Sequence, residues 1–154
     1  MDECIYKLLI NNLIESIPII KDYKIESHSK EVCTKITSYT LYKVMLCSDV
    51  LQRKIEFGMI DYYDHRTILM NIYKIGLPNK NLDDYLFISS YLSKHLNIDD
   101  VNMILNLSSD PDELLDSKLQ DFFTRFISIV DDLFFKIIEG KAWLRIPFDW
   151  GPYK

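Results

Sequence analysis

Residues 59–75 read MIDYYDHRTILMNIYKI, and the reading of this run sets the fold class of the chain. Ile60, Tyr63, Ile68, Met70, Ile72, Tyr73 and Ile75 fall on more than one side of a helical wheel, which predicts a helix buried all round at the centre of a domain. Gly76 and Pro78 close it in the expected order, glycine permitting a left-handed cap and proline blocking continuation. On its N-terminal side the pattern predicts a short helix over 49–57, broken near Gly58. Before that, Val32, Ile36, Tyr39, Val44 and Leu46 suit a helix over 31–47, whose Ser and Thr content leaves packing to supply its stability. The polar run KIESHSKE, residues 24–31, is then a connection. A first helix covers about 3–23, with Pro18 breaking or kinking it near Ser16, because proline lacks a backbone donor and clashes with the preceding turn.

The C-terminal half continues the helical pattern. A helix begins after Asn81, with Asp83 and Asp84 in its first turn where the macrodipole favours acids, and runs through YLFISSYLSKHL. NIDDVNMILNL, residues 97–107, is its bent continuation or a separate short helix. Asp110 as cap and Pro111 at the first helical position start a last helix that ends at Gly140. Along it, Leu119, Phe123, Phe126, Val130, Leu133 and Ile137 form a seam at alternating spacings of about four and three. A second row of Leu115, Phe122, Ile129, Phe134 and Ile138 widens the apolar arc. Burying each large side chain is worth roughly 1.5–3 kcal/mol, so the surplus row calls for a further partner. That partner is either more of the same chain or a second subunit across a homodimer interface built on the seam.

The expectation is therefore an all-α fold of about six or seven helices, forming one domain over 1–140 with an irregular tail over 141–154. The bulk composition agrees: 154 residues support one core without staples, and 4 Gly and 5 Pro are few for a protein of many tight turns. The formal charge of −5, with paired acids after Pro78, argues against nucleic acid as a partner. Cys4, Cys33 and Cys47 form no ligand spacing and an odd set, which reads as reduced thiols and a cytoplasmic location. The opening MDECIYKLL has acids where a secretory leader has bases, and no apolar run is long enough for a membrane span.

No nucleophile elbow, phosphate loop, zinc-protease motif or dinucleotide fingerprint occurs in the sequence, and the expectation is a protein that is not an enzyme and carries no metal. Tyr39, Tyr63, Tyr73, Tyr85 and Tyr91 combine apolar bodies with hydroxyls that seek partners. Around Met70, Phe87 and Phe126 they suit either ordinary core packing or a cavity with a polar end, fit for an amphiphile such as a fatty acid. The tunnel set expected on the second reading is Tyr39, Tyr63, Met70, Tyr73, Phe87, Tyr91 and Phe126. His65 and Arg66, with Lys74 nearby, are the cations that would meet a carboxylate or small anion.

IYKIGLPNKNLDDYLFISSYLSKHL and KLQDFFTRFISIVDDLFFKIIEGKAW resemble two stretches of the non-haem globin sensor domains of RsbR-type stressosome proteins and Bacillus sporulation sensor kinases. The first matches a helix ending in an IGL-type turn followed by a long helix, and the second a closing helix with spaced phenylalanines and a late Trp. The nearest likeness is to stand-alone, plasmid-encoded sensor-domain proteins that inhibit sporulation. The resemblance implies a globin-like fold without haem, a homodimer on the terminal helices, and a fatty acid in a hydrophobic tunnel with a chloride or similar anion at its base. It implies a signal-transduction role: a sensor with no kinase core after it titrates the signal, or the partner, of a sensor histidine kinase. The tail RIPFDWGPYK departs from the family, replacing the helical linker. Two further readings are a viral Bcl-type apoptosis antagonist binding an amphipathic helix, whose Trp-Gly-Arg turn is not matched at Trp150–Gly151, and a haem-binding globin using His65 or His95.

Overall fold

The computed structural model describes residues 2–34, 36, 38–62, 65–75, 85–107 and 115–144. Helix α1 (Asp2–Ser16) is followed by a 3-10 turn, Pro18–Asp22, so the chain breaks beside Pro18. Strands β1 (Lys24–Cys33), β2 (Tyr39–Ser48), β3 (Arg53–Tyr62) and β4 (Arg66–Lys74) come next. Then follow β5 (Tyr85–Phe87), α2 (Ile88–Leu92), α3 (Ile98–Leu105), β6 (Asn106–Leu107), α4 (Leu115–Ile129) and α5 (Asp132–Ile138). The strands form one antiparallel sheet in the order β1-β2-β3-β4-β5, with β6 also pairing β4.

This mixed α/β architecture overturns the all-α, globin-like expectation. The run 59–75 is the end of β3, a hairpin and β4, not a central helix: Met59 pairs with Ile68 and Asp61 with Arg66. The expected helix over 31–47 is the end of β1 and all of β2, and the supposed connection over 24–31 is most of β1. The expected helix over 49–57 is a turn and the first half of β3. Tyr85–Phe87 is a strand rather than part of a helix, while 97–107 holds a separate helix, α3, and the short β6. The long last helix is two, parted at Val130–Asp131, where the Asp131 carboxylate accepts from the Phe134 amide as an N-cap. The caps expected at Gly76–Pro78, Asp83–Asp84 and Asp110–Pro111, and the tail from 145 onward, lie outside the described residues.

The physical reason is period two. Tyr42, Val44 and Leu46 on β2, Ile55, Phe57 and Met59 on β3, and Ile68, Met70 and Ile72 on β4 are buried at every second position. Register places Leu46, Ile55, Ile72 and Leu86 side by side, and likewise Val44, Phe57 and Met70. The helices cover this inner face. Leu9 and Leu13 of α1, Phe122, Phe123 and Phe126 of α4, and Phe134, Ile137 and Ile138 of α5 join one core with it, and the Phe57 and Phe123 ring centroids lie 5.5 Å apart. The wide apolar arc of the last helices is thus spent on the chain's own sheet. Leu119, Phe123, Phe126 and Ile137 of the proposed dimer seam are fully buried there, and only Val130 and Leu133 are half-exposed.

At two glycines the backbone passes too close to a neighbouring segment to admit a side chain. Gly58 approaches β2 so closely that a Cβ there would collide with the Tyr42 carbonyl oxygen. Gly140, at φ +77°, ends α5 in the left-handed conformation, and its absent Cβ would stand 2.5 Å from the Leu51 carbonyl oxygen. The C-terminal end of the helical layer therefore rests directly on the β2–β3 turn. At the free edge, β1 is exposed along almost its whole length and carries an irregularity between Ile25 and Ser27.

Candidate functional site: a cleft on the open face of the sheet

Opposite the helices the sheet presents a second, different surface. Leu41, Met45, Ile60 and Leu69 point away from the helical layer, are half-buried, and belong to no part of the core shared with the helices. Across them runs a polar line: the Glu56 carboxylate accepts from Asn71 Nδ2 at 2.8 Å and meets Lys43 Nζ at 3.3 Å. Where β2 to β5 end together, this face opens into a cleft of about 470 Å³ lined by Met45, Lys54, Tyr73, Lys74, Ile75, Tyr85 and Phe87. That size falls within the roughly 300–1,000 Å³ of small-molecule sites.

Strand register assembles the lining. Tyr73 pairs with Tyr85 and Asn71 with Phe87, which sets the Tyr73 and Tyr85 rings edge to face with centroids 4.8 Å apart. Burial, and then the nearby Glu56, push the Tyr73 phenol up to about 12, so at neutral pH it offers a hydrogen bond rather than a charge. Lys54 stands on the rim with its Nζ 3.0 Å from Glu26 of β1.

The cations gather at one corner. Lys74 lies opposite Arg53 in the β3–β4 register. Arg53 is buried and donates to three carbonyls, those of Ile137 at 2.8 Å, Gln52 at 2.9 Å and Ala142 at 2.8 Å. Burial depresses the pKa of its guanidinium. The Trp143 ring serves both cations, with its centroid 5.0 Å from Arg53 Cζ and 5.6 Å from Lys74 Nζ. Beside it the Tyr23 hydroxyl donates to the Ile138 carbonyl at 2.5 Å. No acid among the described residues forms an ion pair with Lys74. In a chain of net charge −5, Arg53 and Lys74 put two cations on the helical side of the sheet's end, and Lys54, one pleat away, lies on the open face beside Glu26.

Of the expected tunnel residues, Tyr73 and Phe87 meet in this cleft, joined by Tyr85 and Lys74. Met70, Tyr91 and Phe126 are wholly buried in the core. Tyr91 and Phe126 both pack on Phe134, and the Tyr91 hydroxyl donates to Asp131. Tyr39 lies at the opposite end of the sheet beside Tyr62, their centroids 5.8 Å apart, and Tyr63 is outside the described residues. A single tunnel through all seven is thereby replaced by two separate places, core and cleft.

The expected anion pair is likewise elsewhere. His65 stacks on Tyr62 at 4.5 Å and Arg66 Nε pairs with Asp61 at 3.3 Å. They sit at the start of β4, about 23 Å along the strand from Tyr73 at about 3.3 Å per residue. His95, the other haem-ligand candidate, faces the Asp131 carboxylate at 3.6 Å.

Met45, Lys54 and Ile75 were missed as lining residues. Their signal was the alternation that places Met45 one pleat from Val44 and Lys54 one from Ile55, visible only once the segments are read as strands. No protein-family model, curated protein or solved structure matches the chain.

Proposed function

We propose that the protein is a binding module, not an enzyme, whose cleft takes an anionic amphiphile, with a long-chain carboxylate as the ligand class. The observation that carries this reading is the lining itself: five apolar or aromatic side chains on one wall and Lys54 at the rim, in about 470 Å³. Apolar walls supply affinity in proportion to the area they take from water, and convergent ammonium and phenol donors orient a carboxylate. A neutral Tyr73 and the Lys54 ammonium are donors suited to holding an anion rather than to moving protons. Signal titration, the regulatory role expected from the sequence, requires no more than such binding. The sensor histidine kinase and the sporulation pathway rested on a globin-type domain, and that support is gone with the fold; the homodimer rested also on the surplus apolar row, most of which is buried against the chain's own sheet.

The test is titration calorimetry of the purified chain with dodecanoate below its aggregation concentration. Dodecanoate binds the wild-type chain at one site, and Tyr85→Ala with Phe87→Ala, which strips the wall, weakens it at least tenfold. Absence of binding to the wild-type chain, or binding indifferent to the stripped wall, removes the proposal.

A further inference from the structure

Resting on the reading of the cleft just given, we infer that Glu26 is a specificity-determining residue: its carboxylate holds the Lys54 ammonium, so an anionic head group gains that lysine only by displacing Glu26. Lys54 stands on the open face between Cys47 of β2 and Tyr73 of β4, its two register partners, and it lines the cleft. Its ammonium is turned toward β1, where the two Glu26 carboxylate oxygens lie 3.0 and 3.3 Å away. The ladder skips Glu26: Ile25 pairs with Leu46 and Ser27 with Met45. A bulge of this kind re-aims a side chain. Here the ion pair spans β2, a reach of two strand spacings of roughly 4.8 Å each.

A carboxylate in that place stands in for the one a ligand would bring. When one leaves the ammonium as the other arrives, the exchange is nearly even, and the charge of the head group adds little to what the apolar wall supplies. The pair is open enough to part, with the Lys54 side chain 29% and that of Glu26 48% exposed, where an ion pair is weak. Neutralising Glu26 both frees the ammonium and takes a like charge away from the ligand's path. Lys43 of the same face is committed elsewhere: its Nζ lies 3.3 Å from Glu56 and 3.9 Å from Glu31, and it is not part of the cleft lining. Glu31, on the same strand as Glu26 and of the same charge, is therefore the matched control.

The experiment compares dodecanoate with 1-dodecanol, which shares the chain and lacks the charge. Glu26→Gln strengthens dodecanoate about two- to fivefold, the worth of an exposed ion pair, and leaves dodecanol unchanged. Glu31→Gln, which removes the same unit of charge from β1 and leaves Lys54 paired, alters neither probe. Lys54→Met weakens dodecanoate alone, and in a Lys54→Met chain the further change Glu26→Gln brings less than half its gain in the wild-type background. Equal gains for acid and alcohol, an acid affinity unchanged or lowered by Glu26→Gln, the same gain from Glu31→Gln, or a full gain without Lys54 overturns the inference while leaving the cleft intact. A wild-type chain that binds neither probe removes the cleft reading itself.

Discussion

The two faces of one sheet teach different things. On the inner face Val44, Ile55, Phe57 and Met70 are fully buried against α1, α4 and α5. On the outer face Leu41, Met45, Ile60 and Leu69, one pleat away on the same strands, stay half-exposed and outside that core. Both sets are large and apolar, so composition does not separate them; partnership does. The inner set holds the fold together, and the outer set stands outside that shared core.

The sharpest way to break this contrast is to truncate one residue from each set. Phe57→Ala, in contact with Phe123, is expected to cost about 3–5 kcal/mol in urea denaturation, the sum of lost burial and a residual cavity. Leu69→Ala on the outer face should cost about 1 kcal/mol or less. Equal losses at the two positions would mean that the outer face contributes as much to folding as the inner one.

The smallest effect is a titration. Tyr73 is an acid whose folded-state pKa lies above its ordinary value of 10.0. Its contribution to stability is therefore complete below pH 10 and lost as pH rises toward about 12. Comparing phenolate absorbance of the wild-type chain and Tyr73→Phe should reveal one phenol titrating in that window. A difference curve centred at pH 10 would place Tyr73 in open water and blunt the case for the cleft.

Two helical ends were legible in the sequence, while the strands and the break at Val130–Asp131 were not. Pro18 announces the end of α1, and Gly140 the end of α5, because each has a backbone requirement that no neighbour can disguise. In β2 the alternation is disguised: of the residues LYKVMLC over 41–47 only Lys43 is charged, since both faces of the strand are apolar, and period two fades into an unbroken run. The turns hid themselves as well. The β2–β3 connection is made without a glycine, with Gln52 taking φ 56° in the left-handed region, so the usual Asn-Gly or Asp-Gly signal for a hairpin is missing. The Val, Ile and Thr content of 32–44 was the surviving hint of a strand.

The site was half visible for the same reason. Tyr73, Tyr85, Phe87 and Lys74 stand out as residue types whatever the secondary structure, but their convergence depends on β4 pairing with β5. Met45 and Lys54 reach the same cleft only through the register of β2 and β3. His65 and Arg66, chosen as cations close in sequence to the tyrosines, are carried to the far end of a fully extended strand, where a helix would have kept them near.

An open sheet with a greasy side invites end-to-end growth, and β1 is built to refuse it. Lys24, Glu26, Lys30 and Glu31 line that rim in solvent, and the ladder slips between Ile25 and Ser27. An incoming strand would have to desolvate those charges and match a broken repeat of backbone donors and acceptors. The charged, irregular rim thereby opposes the edge-to-edge stacking from which fibrils grow.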